Sequence, residues 1–385
     1  MPRAGIPHGR QLHNLLGRAQ LHIEDLLPGF HSELLAAGGV AADVSTQTHV
    51  HELGVSMPER PLGLRIWSAP QPVIEHVARK LLAAEGIVAH DGVRAEGLSI
   101  RNGRHVEGVR ISCRGRAENV PADLVVDAMG AMSPAASWLT EAGCPSPATQ
   151  THLTRHWYCS LVVRRPPAWV GKPDYWLVFP TFPNTRAGLV SPAGDREWYV
   201  SLSGVAPDRP PHSTAEFAAF ASELETPVIG DLLADATPVS RPRLFGKPVA
   251  TWRRYDRLSS PVEGFLPIGD AFATLNPLLG QGISVAAWQG AHLARLLAPV
   301  SSPREITAPY LASAAAACRG AWTLMTLFNP PPGSDAPRVD AAGWHELVAA
   351  VGHDAGAHRR YVGMWHLLES VTVLNDILKC PKAVT

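Results

Sequence analysis

The stretch between residues 265 and 297 constrains this chain more than any other. Phe265-Leu266-Pro267-Ile268 is a short apolar run that reads as a buried strand and stops at Gly269-Asp270. A loop through Asn276-Pro277 follows, and Gly280-Gln281-Gly282 opens a helical pattern over 283–297. A strand that ends in an acid and turns through glycines into a helix can hold an anionic or phosphorylated group. Glycines let the backbone come close, the first helical N–H groups lack intrahelical partners, and the helix dipole favours negative charge there. The Asp270 carboxylate, at the carboxyl end of the strand, can accept bonds from sugar-like hydroxyls.

The rest of the composition narrows the class. A chain of 385 residues can form one large domain or two interleaved ones around a real core. With a formal net charge of zero there is no electrostatic footprint for nucleic acid or for an anionic membrane. The five cysteines are scattered and form no C-x-x-C pair, which suits a reducing cytoplasm. No apolar run approaches the ~18 residues of a membrane span, and the N-terminus lacks a signal-peptide core. A soluble cytoplasmic protein is the expectation. Basic charge that is almost all Arg, with abundant Ala, Gly and Pro, suggests a bacterial coding sequence rich in G and C.

Gly269-Asp270-Ala271 with Asn276-Pro277-x-x-Gly280-Gln281-Gly282 resembles the second flavin motif of FAD-dependent aromatic hydroxylases and squalene-epoxidase-like monooxygenases. Trp252-Arg253-Arg254-Tyr255-Asp256-Arg257-Leu258 resembles the same family's approach to that motif. The resemblance implies an α/β aromatic-hydroxylase-type FAD-binding fold with an interleaved β-sheet substrate domain and a helical C-terminus. It implies that Asp270 binds the ribityl chain, that the helix start at Gly280, Gln281 and Gly282 faces the pyrimidine end of the flavin, and that Gly269 and Pro277 also belong to the cofactor site. It also places Arg10 and Gln11 beside the flavin, where the alternative is a solvated helix start. It implies a discontinuous FAD-type domain over 1–39, 65–150 and 252–300, a substrate domain over 40–64 and 151–251, and a helical region over 301–385.

Three departures from the family stand out. No G-x-G-x-x-G turn, the usual pyrophosphate cradle, occurs anywhere in the chain, so the first βαβ unit of the fold is expected to be missing. An Arg expected before the helix at 72–84 is replaced by Ser68-Ala69-Pro70, and Arg79, inside that helix, is a poor substitute. Asp127-Ala128-Met129-Gly130 resembles the family's Asp-Ala-Thr-Gly-Arg, yet Ala131-Met132-Ser133 follows and a second Arg is absent.

Other segments follow from periodicity. Apolar spacing predicts helices over 11–27 and 72–84, and Asn102-Gly103 predicts a hairpin between strands at 93–100 and 105–112. A buried strand is expected over 122–128. Residues 151–251 read as mostly β, with strands at 156–163, 174–179, 187–192 and 197–203, and Ser213-x-x-Glu216 is a capping box. Trp157, Tyr158, Trp169, Tyr175, Trp176, Phe179, Phe182, Trp198 and Tyr199 line an apolar substrate pocket or pack the sheet core. His49 and His51 read as a half-exposed strand pair rather than metal ligands, and no metal site is expected. Two helices from about 340 and 357, the second with Met364, Leu367, Leu368, Val371 and Leu374 on one face, are expected to pack as a terminal layer, cap the pocket or form a homodimer surface.

There is no G-x-S-x-G, H-E-x-x-H or Walker motif, and no catalytic residue is assigned. That suits the family, whose flavin itself carries the oxygen chemistry. The reading is therefore an FAD-dependent monooxygenase of secondary metabolism. It would use NAD(P)H to hydroxylate or epoxidise a bulky apolar polyketide, terpenoid or aromatic small molecule. The alternative is a flavin-fold protein without FAD, acting as a redox-silent cyclase or a non-catalytic binding protein. The absent phosphate turn and arginines favour that alternative.

Overall fold

The computed structural model describes residues 9, 13–52, 54–180, 184–194, 196–205, 211–298, 302–328 and 341–378. Among them the largest element is a nine-stranded sheet. Its order is Ala273–Thr274, Arg243–Arg253, Thr149–Arg164, Glu197–Val205, Ala187–Pro192, Tyr175–Val178, Thr48–Glu52 and Val55–Ser56, with Thr237–Pro238 pairing beside Thr149–Arg164. Every pairing is antiparallel except Tyr175–Val178 with Thr48–Glu52.

The period-2 alternation of the strands gives this sheet two different faces. On one, Leu161, Val163, Val190, Val200 and Leu202 pack against Phe217, Leu224, Ile229 and Leu232 of the helices Thr214–Ser222 and Val228–Asp235. Ser213 caps the first of these helices by accepting from the Glu216 N–H, and the Glu216 carboxylate accepts from the His212 N–H at 2.9 Å. The aromatic residues divide between the faces. Trp169, Trp176 and Trp198 belong to the helix-side core, with Trp169 edge-on to the other two. Tyr158 and Tyr175 are buried on the opposite side, and Phe182 lies outside the described residues.

That opposite face looks toward the layer containing the 265–297 stretch. Phe265–Pro267 pairs in parallel with Val125–Asp127, so Asp127 and Gly269-Asp270 emerge at the same carboxyl edge. The strand at 125–127 is only partly buried: Val126 is exposed, unlike the enclosed strand its apolar run suggests. The hairpin forms as expected, with Asn102 and Gly103 both at positive φ, and a third strand, Arg116–Pro121, joins it. The helix Gly282–Leu297 lies between Gly17–Leu26 and Thr307–Phe328, close enough that a Cβ on Gly290 would stand 3.3 Å from Leu26.

Two helical expectations need correction. The first helix begins at Gly17, because Asn14–Leu15 is a strand paired with Arg65–Ser68. The helix from about 357 does not run on through Leu374. Ala355–Trp365 stops, Leu367 takes φ 57°, and Val373–Ile377 is separate. Tyr361, Met364, Leu367, Val373 and Leu374 all pack into the core around Thr307–Phe328.

The start of the first helix is fastened to this C-terminal layer. The Gly17 N–H donates to His366 Nδ1 at 2.9 Å, and the Arg18 N–H donates to the His366 carbonyl at 3.1 Å. Burial pushes His366 down from the ordinary 6.5 to about 4, so it folds as the neutral acceptor. Its contribution to stability is complete above about pH 6.5 and is lost as pH falls toward 4, because the unfolded chain binds the proton more readily. Denaturant midpoints measured across that range are expected to fall with pH, and His366→Asn, which keeps an acceptor, is expected to flatten the slope by up to about one proton.

Candidate functional site

The turn at Gly269–Ala271 is where the sequence-predicted residues meet. Gly269 takes φ 60°, a left-handed conformation that suits glycine, and its N–H donates to Gln289 Oε1 at 2.7 Å. Gln289 is fully buried and donates in turn to the Ala314 carbonyl and toward Cys318 Sγ. The Tyr310 hydroxyl donates to the Pro267 carbonyl at 3.0 Å. These bonds fix where the Asp270 side chain leaves the turn that follows the strand.

Arg253 completes the turn from the sheet side. Its guanidinium donates to the carbonyls of Asp270 and Ala271 at 3.2 and 3.1 Å, and to the Ala131 carbonyl at 2.7 Å. The loop after Asp127, which lacks the Arg expected there, is therefore joined to the Gly269–Ala271 turn by an Arg from another strand. Asp127 holds the same loop through the Met129 N–H at 3.0 Å and the Ser133 hydroxyl at 2.5 Å. Neighbouring Arg254 serves the fold, pairing with both Asp256 oxygens at 2.9 and 2.6 Å while stacked over Trp252.

The Asp270 carboxylate has a partner that the sequence did not suggest. Lys247 Nζ lies 3.1 Å from Asp270 Oδ2, with the two side chains 17% and 33% exposed. The available signals were that Lys is rare in this Arg-rich chain and that Lys247 alternates with Phe245 along a strand. Neither points to a specific acid.

Beyond the turn, Asn276 organises the approach to Gly280. Its Oδ1 accepts from the Leu278 N–H at 3.0 Å, capping the short Pro277–Leu279 turn, and also accepts from the Tyr158 hydroxyl. The Tyr158 oxygen accepts from the Leu278 N–H at 3.0 Å, and Asn276 Nδ2 lies 3.0 Å from His156 Nδ1. His156 is pushed down to about 4 by burial, and burial raises the Tyr158 hydroxyl. At neutral pH both stay uncharged, so this network positions the loop and moves no proton.

Gly280 takes φ 64°, Gln281 is buried with its Nε2 donating to the Trp365 carbonyl at 2.9 Å, and the helix starts at Gly282. No side chain caps that helix, and nothing lies within 4 Å of the place a Cβ on Gly282 would occupy. Ser284 Oγ, in the first turn, is buried with no hydrogen-bond partner. Gly269, Asp270, Pro277, Gly280, Gln281 and Gly282 thus share one continuous path along the carboxyl edge of the parallel strands. Arg10 and Gln11 lie outside the described residues. His49 and His51 stand near Glu59 and Glu225 at 3.9 and 3.8 Å, and no group of three or more metal-ligating side chains occurs among the described residues.

Comparison with known proteins gives the architecture a context. The flavin-dependent brominase Bmp2, as a triple mutant, superposes with a TM-score of 0.66 over 97% of this chain and 86% of its own, at 17% identity. This is the aromatic-hydroxylase-type flavoprotein fold. CmlS, a flavin-dependent halogenase, matches at a TM-score of 0.64 and 15% identity, covering 95% of this chain and 70% of that one. PqsL of Pseudomonas aeruginosa, solved with 2-aminobenzoylacetate, matches at a TM-score of 0.62 and 13% identity, covering 94% and 90%. Protein Rv3254 of Mycobacterium tuberculosis is 29% identical over 316 residues, 77% of this chain. The match spans 64% of that relative's length, just under two thirds. No protein-family model matches the chain.

Among the described residues no helix is long and apolar enough to cross a membrane. Asn276→Ala would strip the cap from the Pro277–Leu279 turn and leave the buried Tyr158 hydroxyl without its acceptor. A loss of about 1–3 kcal/mol is expected in chemical denaturation. Tyr158→Phe should cost less, since Asn276 still receives the Leu278 N–H.

Proposed function

We propose that this chain is an FAD-dependent oxidoreductase of the monooxygenase type, hydroxylating or epoxidising a bulky apolar small molecule with NAD(P)H as reductant. The observation that carries the proposal is the shared edge on which Gly269-Asp270 and Gly280-Gln281-Gly282 lie, on the side of the large sheet that carries Tyr158. The residues fit the ribityl and pyrimidine half of a flavin. The Asp270 carboxylate is one-third exposed, the helix start is uncapped, and the space over Gly282 is open.

In this reading Asp270 accepts a ribityl hydroxyl, and the first N–H groups of Gly282–Leu297 stabilise negative charge at the pyrimidine end. A bound flavin would supply the electron transfer and the oxygen chemistry. The chain's own residues supply position. Arg253 and Gln289 hold the turn, while Asn276, Tyr158 and His156 hold the loop, all without changing charge near neutral pH. A groove of about 280 Å³ on the same sheet face, lined by Pro70, Pro72, Ser160, Val162, Tyr199 and Arg243, is a place for substrate.

A second reading is favoured by Lys247: with its ammonium on Asp270, the fold would use the pocket as a redox-silent cyclase or binding protein. The visible absorbance spectrum separates the two. Protein soaked in FAD and freed of excess is expected to keep a flavin spectrum near one equivalent. Asp270→Ala should lose most of that flavin while its far-UV circular dichroism stays unchanged. A wild-type protein that emerges colourless rejects the monooxygenase reading, and undiminished flavin in Asp270→Ala rejects the role of the carboxylate.

A further inference from the structure

We infer that Lys247 is a strap across the cofactor site, competing with the ribityl chain for Asp270, so that flavin binds only by displacing its ammonium. The inference rests on the FAD reading above and names a residue of this chain that sets cofactor affinity.

The placement of Lys247 is built into the sheet. The strand Thr149–Arg164 changes register against Arg243–Arg253 between Leu153 and His156, and Arg155 inside the shift takes φ 52°. Such a bulge re-aims the side chains beside it. Lys247 is the residue opposite His156, the first pair after the shift, and the Thr154 hydroxyl donates to its carbonyl. From there Lys247 shares its face with Phe245, whose partner across the strands is Tyr158. Its Nζ then reaches the turn at Asp270 Oδ2, 3.1 Å away. The ion pair therefore joins the substrate-side sheet to the turn that would cradle the ribityl chain.

An ammonium and a sugar hydroxyl are not equivalent partners for a carboxylate. The ammonium gives a charge-assisted bond, roughly twice as strong as one from a neutral hydroxyl. A ligand that takes over this carboxylate must part it from Lys247, and the lysine's flexible stem lets it swing toward solvent. Because both side chains are partly exposed, the pair is weak enough to open and sensitive to salt.

The test is a titration with FAD, riboflavin and lumiflavin, the last of which has no ribityl chain, followed by quenching of flavin fluorescence. Lys247→Met keeps an unbranched side chain one atom shorter and removes the charge. It is expected to tighten FAD and riboflavin binding about three- to tenfold at low salt, with no change for lumiflavin. The gain should shrink at high salt and vanish in an Asp270→Asn background. If wild type binds FAD and Lys247→Met binds it equally or more weakly, the strap is rejected and the flavin reading stands. If neither protein binds any of the three flavins, both fail together. Should Lys247→Met not fold, Lys247→Gln is held to the same expectations.

Discussion

The turn from Pro267 to Ala271 is held from three directions, and the rest of the site depends on it. Gln289 receives the Gly269 N–H from the helix behind, Tyr310 bonds the Pro267 carbonyl from the next helix, and Arg253 binds the Asp270 and Ala271 carbonyls from the sheet. A backbone at positive φ with its carbonyls turned inward would otherwise carry unpaired polar groups in a buried place. Satisfying them with side chains from three elements makes the direction of Asp270 a property of the whole core. It also explains why a Gln lies buried in the middle of the helix Gly282–Leu297, beside Val285, Ala287 and Ala291 on its buried face.

The same economy of charge runs through the site. Buried His156 and His366 are neutral acceptors or network members, each pushed down to about 4. Arg253 and Arg254 spend their donors on carbonyls, Gln150 and Asp256. Lys247 and Asp270 form the charged pair at the carboxyl edge, and both remain partly exposed. Interaction of a polar ligand with this edge therefore begins with that pair.

Much of the fold was legible because it is written in local pattern. The hairpin at Asn102-Gly103 follows from two residues that tolerate positive φ, the Ser213–Glu216 cap from a four-residue box, and the helix from Gly282 from apolar periodicity. Misreadings came where a distant contact overrode the local signal. The apolar spacing that suggested a helix from residue 11 was interrupted because Asn14–Leu15 pairs with Arg65–Ser68 and Gly17 is fastened to His366. The aromatic set could be assigned to core or pocket only once each strand had a register, since one residue's shift exchanges the two faces.

The sequence by itself determined the elements that short-range chemistry dictates: a strand ending in Gly269-Asp270, a Gly-rich helix start, and a β-rich middle. These follow from backbone conformations that glycine allows and from periods that burial requires. Only the tertiary structure decided which partners those residues take. The Gly17 and His366 contact spans 349 residues of sequence, and Tyr158 meets Asn276 across 118. Lys247 and Asp270 are closer in the chain, yet a bulge in a neighbouring strand helps set their meeting. Hydrogen bonds and ion pairs act over about 3 Å, so side chains distant in sequence acquire their chemistry only when packing brings them together.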